Sequence, residues 1–310
     1  MARPFADRLG SFPVVLEVVP PSKRASDRAV DALVARTRKA IASLPGLDAV
    51  NLPEILEENH RGRPYYRNTD PRAFAGRLGN GTRLEVIVNK VVAHTPRPEL
   101  EAWLAESFGR YGVRNVVLVG GSDGQAAYPG PSVPEADRIA VRSAAGRADV
   151  AVGNILIAER RGEVERLVAK TRAGASFFTT QVLFEPEPIT SVLRGYGEAC
   201  AAEGLAPGTV LLSFAPVSDA HDLEFLVWLG ARVSAETEEA LLAHPRGAGD
   251  ASLEVARSIG TGIAREIAAA RVGVPLGVNV EEIAAHNFDL AVRMARLAPA
   301  WRREATPVAR

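Results

Sequence analysis

Two hydrophobic periods alternate along this chain. Short, nearly unbroken apolar runs suit strands buried on both faces, and they take turns with stretches whose apolar residues return every three to four positions, as in helices packed on a sheet. Residues 13–19 read as the first strand. Behind Ser26, a hydroxyl residue suited to cap a helix, Val30, Leu33, Val34, Thr37 and Ile41 fall at helical spacing. Residues 49–53 form a second short strand, followed by a polar loop at 60–67 and a helix over about 70–78. Residues 83–92 are a third strand, and Thr95-Pro96 then starts a helix whose apolar face is Leu100, Trp103, Leu104, Phe108 and Tyr111. The fourth unit opens with a strand at 115–119 and breaks at Gly120-Gly121-Ser122-Asp123-Gly124.

The second half keeps the rhythm. A strand over 149–157 precedes a helix at 163–172, with Gly174 placed as a helix-ending glycine. Strands at 177–184, 209–217 and 275–280 follow, with helices over about 188–202 and 222–229, and a long helical pattern through Leu253, Ile259, Ile263 and Ile267. A last helix carries Ile283, Phe288, Ala291, Met294 and Leu297. Eight strand–helix units predict one α/β domain over residues 1–310, a single closed (β/α)8 barrel with short tails at both ends; an open doubly wound sheet is the rival arrangement.

Composition narrows the setting. The chain has 310 residues, 47% hydrophobic and 24% charged, enough to bury a large core. Its 37 basic and 37 acidic residues cancel, which argues against nucleic acid as a partner. One cysteine, Cys200, allows no internal disulfide and fits a reducing, cytoplasmic location. No apolar stretch approaches the roughly 20 residues of a membrane span.

In a barrel of this type chemistry sits where the strands end. The polar residues at or just past those ends are Glu17, Asn51 with Glu54, Asn89 with Lys90, Ser122 with Asp123, Asn154, Gln181, Ser213, and Asn279 with Glu281. Glu17 lies inside the apolar run Leu16-Glu17-Val18-Val19-Pro20-Pro21, where lost solvation would raise its pKa and make it a proton donor. Exposure on an edge strand is its alternative. The five histidines are scattered and unaccompanied by cysteine, so no metal centre is expected. No nucleophile elbow is present, and Gly260-Thr261-Gly262 falls inside a helical pattern. The run 120–124 suits a phosphate, a flavin edge or a tight turn. The basic, aromatic loop 61–67 suits a phosphate or an acidic tail, or is simply solvated, and Glu57 or Glu58 beside it could add a second carboxylate.

Three motifs together resemble 5,10-methylenetetrahydrofolate reductase: Leu16-Glu17-Val18-Val19-Pro20-Pro21, Lys170-Thr171-Arg172-Ala173-Gly174-Ala175 and Phe178-Thr179-Thr180-Gln181. The resemblance runs from Phe12 to the last helix. It implies a (β/α)8 oxidoreductase that reduces methylenetetrahydrofolate to the methyl form, in one-carbon metabolism and methionine biosynthesis, with hydride from NAD(P)H passing through bound FAD. Glu17 would be the general acid. Gln181, Asp123, Ser122, Asn51, Glu58, Ser213 and Glu281 would line the folate, and Asn89, Gly120, Gly121, Asn154 and Lys170 the cofactor. The competing readings are an amide tied to backbone for Gln181 and a solvated helix lysine for Lys170.

Departures from the family pattern fall in the flavin region. The Arg-Gly-Asp of flavin-dependent members is Gly120-Gly121-Ser122-Asp123 here, the third strand carries Ile87-Val88-Asn89-Lys90 without the frequent histidine, and Ala220 replaces a folate-stacking phenylalanine. A flavin-independent branch, with direct hydride transfer from NADH to the folate, has similar pieces in Leu212-Ser213-Phe214 and Pro275-Leu276-Gly277-Val278. A non-catalytic pterin- or flavin-binding subunit of a larger complex, or a homo-oligomer, completes the set of expectations.

Overall fold

The computed structural model describes residues 3–58, 64–79, 84–121 and 127–305. In chain order its elements are β1 (Val14–Glu17), α1 (Asp27–Ala42), β2 (Ala49–Leu52), β3 (Leu56–Glu58), β4 (Pro64–Tyr66), α2 (Pro71–Gly79), β5 (Glu85–Val91) and α3 (Arg97–Phe108). Then come β6 (Asn115–Val119), α4 (Val133–Ser143), β7 (Ala151–Leu156), α5 (Glu163–Ala173), β8 (Phe177–Val182) and α6 (Ile189–Ala202). The chain continues with β9 (Thr209–Phe214), α7 (Ala220–Trp228), α8 (Ala235–Leu242), α9 (Ala248–Ala270), β10 (Leu276–Glu281) and α10 (Phe288–Ala305). Eight strands close in the order β1-β10-β9-β8-β7-β6-β5-β2, every pair parallel, so the (β/α)8 barrel is the fold and the open sheet is not. Among the described residues no helix is long and apolar enough to cross a membrane.

Local chemistry accounts for the boundaries. The Ser26 hydroxyl accepts from the Ala29 N–H and starts α1, as its position predicts. Gly174 ends α5 at φ 109°, a left-handed conformation that costs a side-chain-bearing residue strain. Two helices and one hairpin go beyond the sequence reading. Helix α4 begins in a reciprocal cap between Ser132 and Glu135 with proline in its first turn; α8 begins at Ser234, which accepts from the Thr237 N–H. Strands β3 and β4 pair antiparallel across part of the polar loop, and backbone bonds from Thr69 to Pro21 and from Lys23 to Arg67 strap that hairpin to the turn after β1.

The closed end of the barrel sets the depth of its interior. A 3-10 turn, Ala6–Ser11, inserts Phe5 and Leu9 against a floor of Val15, Ala49, Ile87, Val117, Ala151, Phe177 and Leu211. Phe5 meets Phe177 edge-on, with ring centroids 5.5 Å apart. Gly153 in β7 leaves room for that floor, since a Cβ there would lie 2.5 Å from the Phe177 ring. Water is excluded below, and polar side chains are left to the other end.

Candidate active site

Strand alternation carries the floor directly into the mouth. Residues two apart on a strand share a face, so the positions above Val15, Ala49, Ile87, Leu211 and Gly277 are Glu17, Asn51, Asn89, Ser213 and Asn279, with Glu281 one step higher. Register places them side by side: Glu17 pairs with Asn51 on one side and Glu281 on the other, and Asn279 pairs with Ser213. Six of the residues expected at the site therefore converge on one inner wall.

Two hydrogen-bonded groups meet on this wall, one joining β2 to β1 and the other joining β10 to β9. The Asn51 amide donates to Glu17 at 2.7 Å; the Asn279 amide lies 3.2 Å from both the Ser213 hydroxyl and Glu281. Burial raises the Glu17 pKa well above the ordinary carboxylate value, the charge of Glu281 adds to the rise, and the Asn51 bond opposes it. Burial likewise pushes Glu281 up to about 7 against the hydrogen bonds from Ser213 and Asn279. Glu282, 4% exposed, is also raised to about 7 by burial, although Arg36 and the Val19 N–H favour its charged form. The amide oxygens of Asn51, Asn89 and Asn279 are buried with no protein donor. Buried acceptors are nearly always paired, so this wall is shaped for a ligand edge or water rich in N–H or O–H groups.

Gln181 is turned elsewhere. The register of β8 against β9 shifts between Thr179 and Val182, and the Gln181 amide donates to the Leu229 carbonyl past the end of α7 at 2.7 Å. Its amide is tied to backbone, as in the alternative reading, but at a half-buried position rather than a buried one.

Four of the five residues expected at a cofactor gather outside the barrel wall. Gly120, Gly121, Asn154 and Lys170 line a groove of about 690 Å³ at the ends of β6 and β7, between α4 and α5, together with Arg160 and Arg166. Asn89, the fifth, is on the inner wall. Asn154 faces outward because its neighbours Gly153 and Ile155 take the inner face; its amide donates to Leu118 and to Asp137, leaving its oxygen unpaired. Lys170 is not solvated: it is 6% exposed, donates to the Ile155 carbonyl, and has its pKa lowered by burial. Gly121 is bare because the Tyr128 ring covers it; a Cβ would lie 2.2 Å from that ring. Ser122, Asp123 and the side chain of Glu58 lie outside the described residues, as do residues 61–63 of the basic loop.

Two further clusters lie away from the mouth, and the first takes Glu54 and Lys90 out of the strand-end residues expected there. Lys90 also points away from the mouth, into a cavity of about 210 Å³ with Lys23, Tyr66 and Trp103, where it pairs with Glu54 at 2.9 Å. Asp219, Asp222 and His286 bring ligand atoms within 4.8 Å of one another. Both Asp222 oxygens are already engaged there, one by His286 and the other by Ser218 and Asn287. Distant positions meet in both cases, and no local spacing announces them.

No family model matches the chain, and no curated protein matches it. Among solved structures, an uncharacterized protein from Clostridium thermocellum that binds two copies of 5-methyl-5,6,7,8-tetrahydrofolic acid superposes with a TM-score of 0.75 at 16% identity, over 94% of this chain and 96% of that one. A proposed deoxyribose-phosphate aldolase from Coccidioides immitis reaches a TM-score of 0.41 at 13% identity, over 76% and 85% of the two chains, too distant to bear on this site. At 16% identity the first likeness shows the shared barrel alone.

Proposed function

We propose that the chain binds a reduced pterin of the folate type in its barrel mouth and reduces a methylene group bridging two of its nitrogens to a methyl group, as a divergent methylenetetrahydrofolate reductase. The observation that carries this reading is the wall of unpaired buried acceptors around Glu17 and Glu281. A pterin offers an amino group and a ring N–H on one edge, the donors such a wall lacks. The full-length likeness to a barrel that binds 5-methyltetrahydrofolate supports the same ligand class.

Glu17 is suited to the proton step. Protonated near neutral pH, it would give its proton to the departing bridge nitrogen; the C–N bond breaks, an iminium remains on the other nitrogen, and hydride adds to its carbon. NAD(P)H is the hydride source. The groove between α4 and α5 would hold FAD: Arg160 and Arg166 would supply cations for its phosphates and the unpaired Asn154 oxygen an acceptor, while Lys170, engaged by Glu163 and Ile155, would hold α5 in place beside it. FAD would supply a carrier that takes hydride from NAD(P)H and returns it to the folate carbon.

Calorimetric titration with 5-methyltetrahydrofolate, together with the visible spectrum and NADH oxidation in the presence of methylenetetrahydrofolate, tests this. Binding, a yellow protein and turnover are expected, with Glu17→Gln keeping affinity while turnover falls about 100-fold or more. A colourless protein that turns over uses direct transfer from NADH. Binding without turnover leaves a pterin-binding subunit, and no folate binding at all overturns the proposal.

A further inference from the structure

The inner wall holds two carboxylates where a single general acid needs one. Glu17 and Glu281 are in register on the adjacent parallel strands β1 and β10, and neighbouring strands lie about 4.8 Å apart. Both point inward at paired positions of the two strands, so their side chains are neighbours above the protein floor. Two ionised carboxylates there would repel strongly, and coupled groups of this kind release their protons as a pair.

Their partners are unequal. Glu281 accepts hydrogen bonds from Ser213 on β9 and from Asn279 on its own strand, both of which favour its ionised form. Glu17 accepts one, from Asn51 on β2, and also feels the negative side of Glu282. The other groups facing the pair are neutral: Asn51 and Asn89 on β2 and β5, Ser213 on β9. Arg36 on α1 acts on Glu282. No cation among the described residues reaches the pair to neutralise both acids.

We propose that Glu17 and Glu281 hold one proton between them, and that Ser213 and Asn279 keep Glu281 as the charged member so that the proton rests on Glu17. Glu281 is then a positioning residue for the acid. Its negative charge also lies beside the place where the pterin iminium would form, an electrostatic contribution of its own. The second role rests on the pterin reading above, while the shared proton does not.

The test separates the two. Infrared difference spectra of ligand-free protein in a Glu282→Gln background, which removes the neighbouring acid that also titrates near 7, with glutamate carboxyls isotopically labelled, should show one protonated glutamate at pH 7 that Glu17→Gln removes. With Glu281→Gln the remaining acid should titrate at lower pH, and Ser213→Ala should move part of the proton to Glu281. In denaturation experiments the double-variant cycle between positions 17 and 281 should show coupling near zero at pH 5 and repulsive at pH 9. A protonated glutamate that survives Glu17→Gln, or coupling that ignores pH, overturns the shared proton. If folate is turned over, Glu281→Gln should lower kcat about tenfold at pH 8 with KM little changed. Absence of folate turnover would count against the pterin reading and leave the infrared result standing.

Discussion

The Lys170 ammonium lies 3.7 Å from the Glu163 carboxylate, both on α5 and both shielded from solvent, with side-chain exposures of 8% and 0%. Lys170 also donates to the Ile155 carbonyl at 2.8 Å, and Glu163 accepts from the Ile157 N–H at 3.2 Å. The pair, one partner in the first turn of α5 and the other in its last, therefore clamps the helix to the end of β7, where the groove opens. A buried pair of this kind adds little against apolar replacements of both partners, but loss of one partner strands the other.

Lys170→Met should accordingly destabilise the protein by about 3–5 kcal/mol, because Glu163 stays buried without its cation. Lys170→Met combined with Glu163→Gln should recover most of that loss. Urea denaturation of the three variants measures it, and a single variant as stable as the parent would show that Lys170 is not part of the clamp.

Asp137, behind the same groove, predicts a pH dependence. Burial raises its pKa from 3.8 to about 7, and one of its oxygens has no partner. The folded chain then binds this proton more tightly than the unfolded chain, so the associated stability is complete below pH 4 and is lost as pH rises toward 7. Three pKa units set an upper bound of roughly 4 kcal/mol. Asp137→Asn should leave stability at pH 4 little changed, raise it at pH 8, and flatten the profile between, as read by denaturation midpoints at the two pH values.

Two glycines give opposite expectations. Gly153→Ala forces a methyl into the Phe177 ring at 2.5 Å and should cost about 1–3 kcal/mol by overpacking the barrel floor. Gly262→Ala, inside α9 with no atom near the added carbon, should gain about 0.5–1 kcal/mol from helix propensity. Thermal melts of the two variants should move in opposite directions.

The barrel was readable because its signal is local. Each strand declares itself within about six residues, and the alternation needs only counting; Ser26 and Gly174 mark their helix ends from the sequence alone. The inner wall was partly readable too, since a polar residue at the end of an apolar run must face either the mouth or the helices. Which of the two depends on parity against the floor, and that separates Asn89 from Lys90 and puts Asn154 in the outer groove. The turn of Gln181 toward Leu229 needed the irregularity in β8, which no composition signals. Asp222 meeting His286 across 64 positions, and Lys90 meeting Glu54, follow from closure of the barrel and lie beyond any spacing rule.

Asn51 shows how closely the mouth controls charge. It is 2% exposed, in register with Glu17, and donates to it at 2.7 Å. Asn51→Leu removes that donor and should cost about 1–3 kcal/mol at any pH at which Glu17 keeps its proton. Asn51→Asp has nearly the same shape but adds another buried acid beside Glu17 and Glu281, with no cation to offset it. Below about pH 5 the added acid can stay neutral and donate, so the variant should fold nearly as well as the parent. As pH rises, each further ionisation meets a neighbouring charge, and the loss should grow to about 3 kcal/mol or more by pH 8. Denaturation curves of both variants at pH 5 and pH 8 decide the matter. A pH-independent loss for Asn51→Asp equal to that for Asn51→Leu would mean that the wall responds to shape alone, and that Glu17 does not sense the charge of its neighbours.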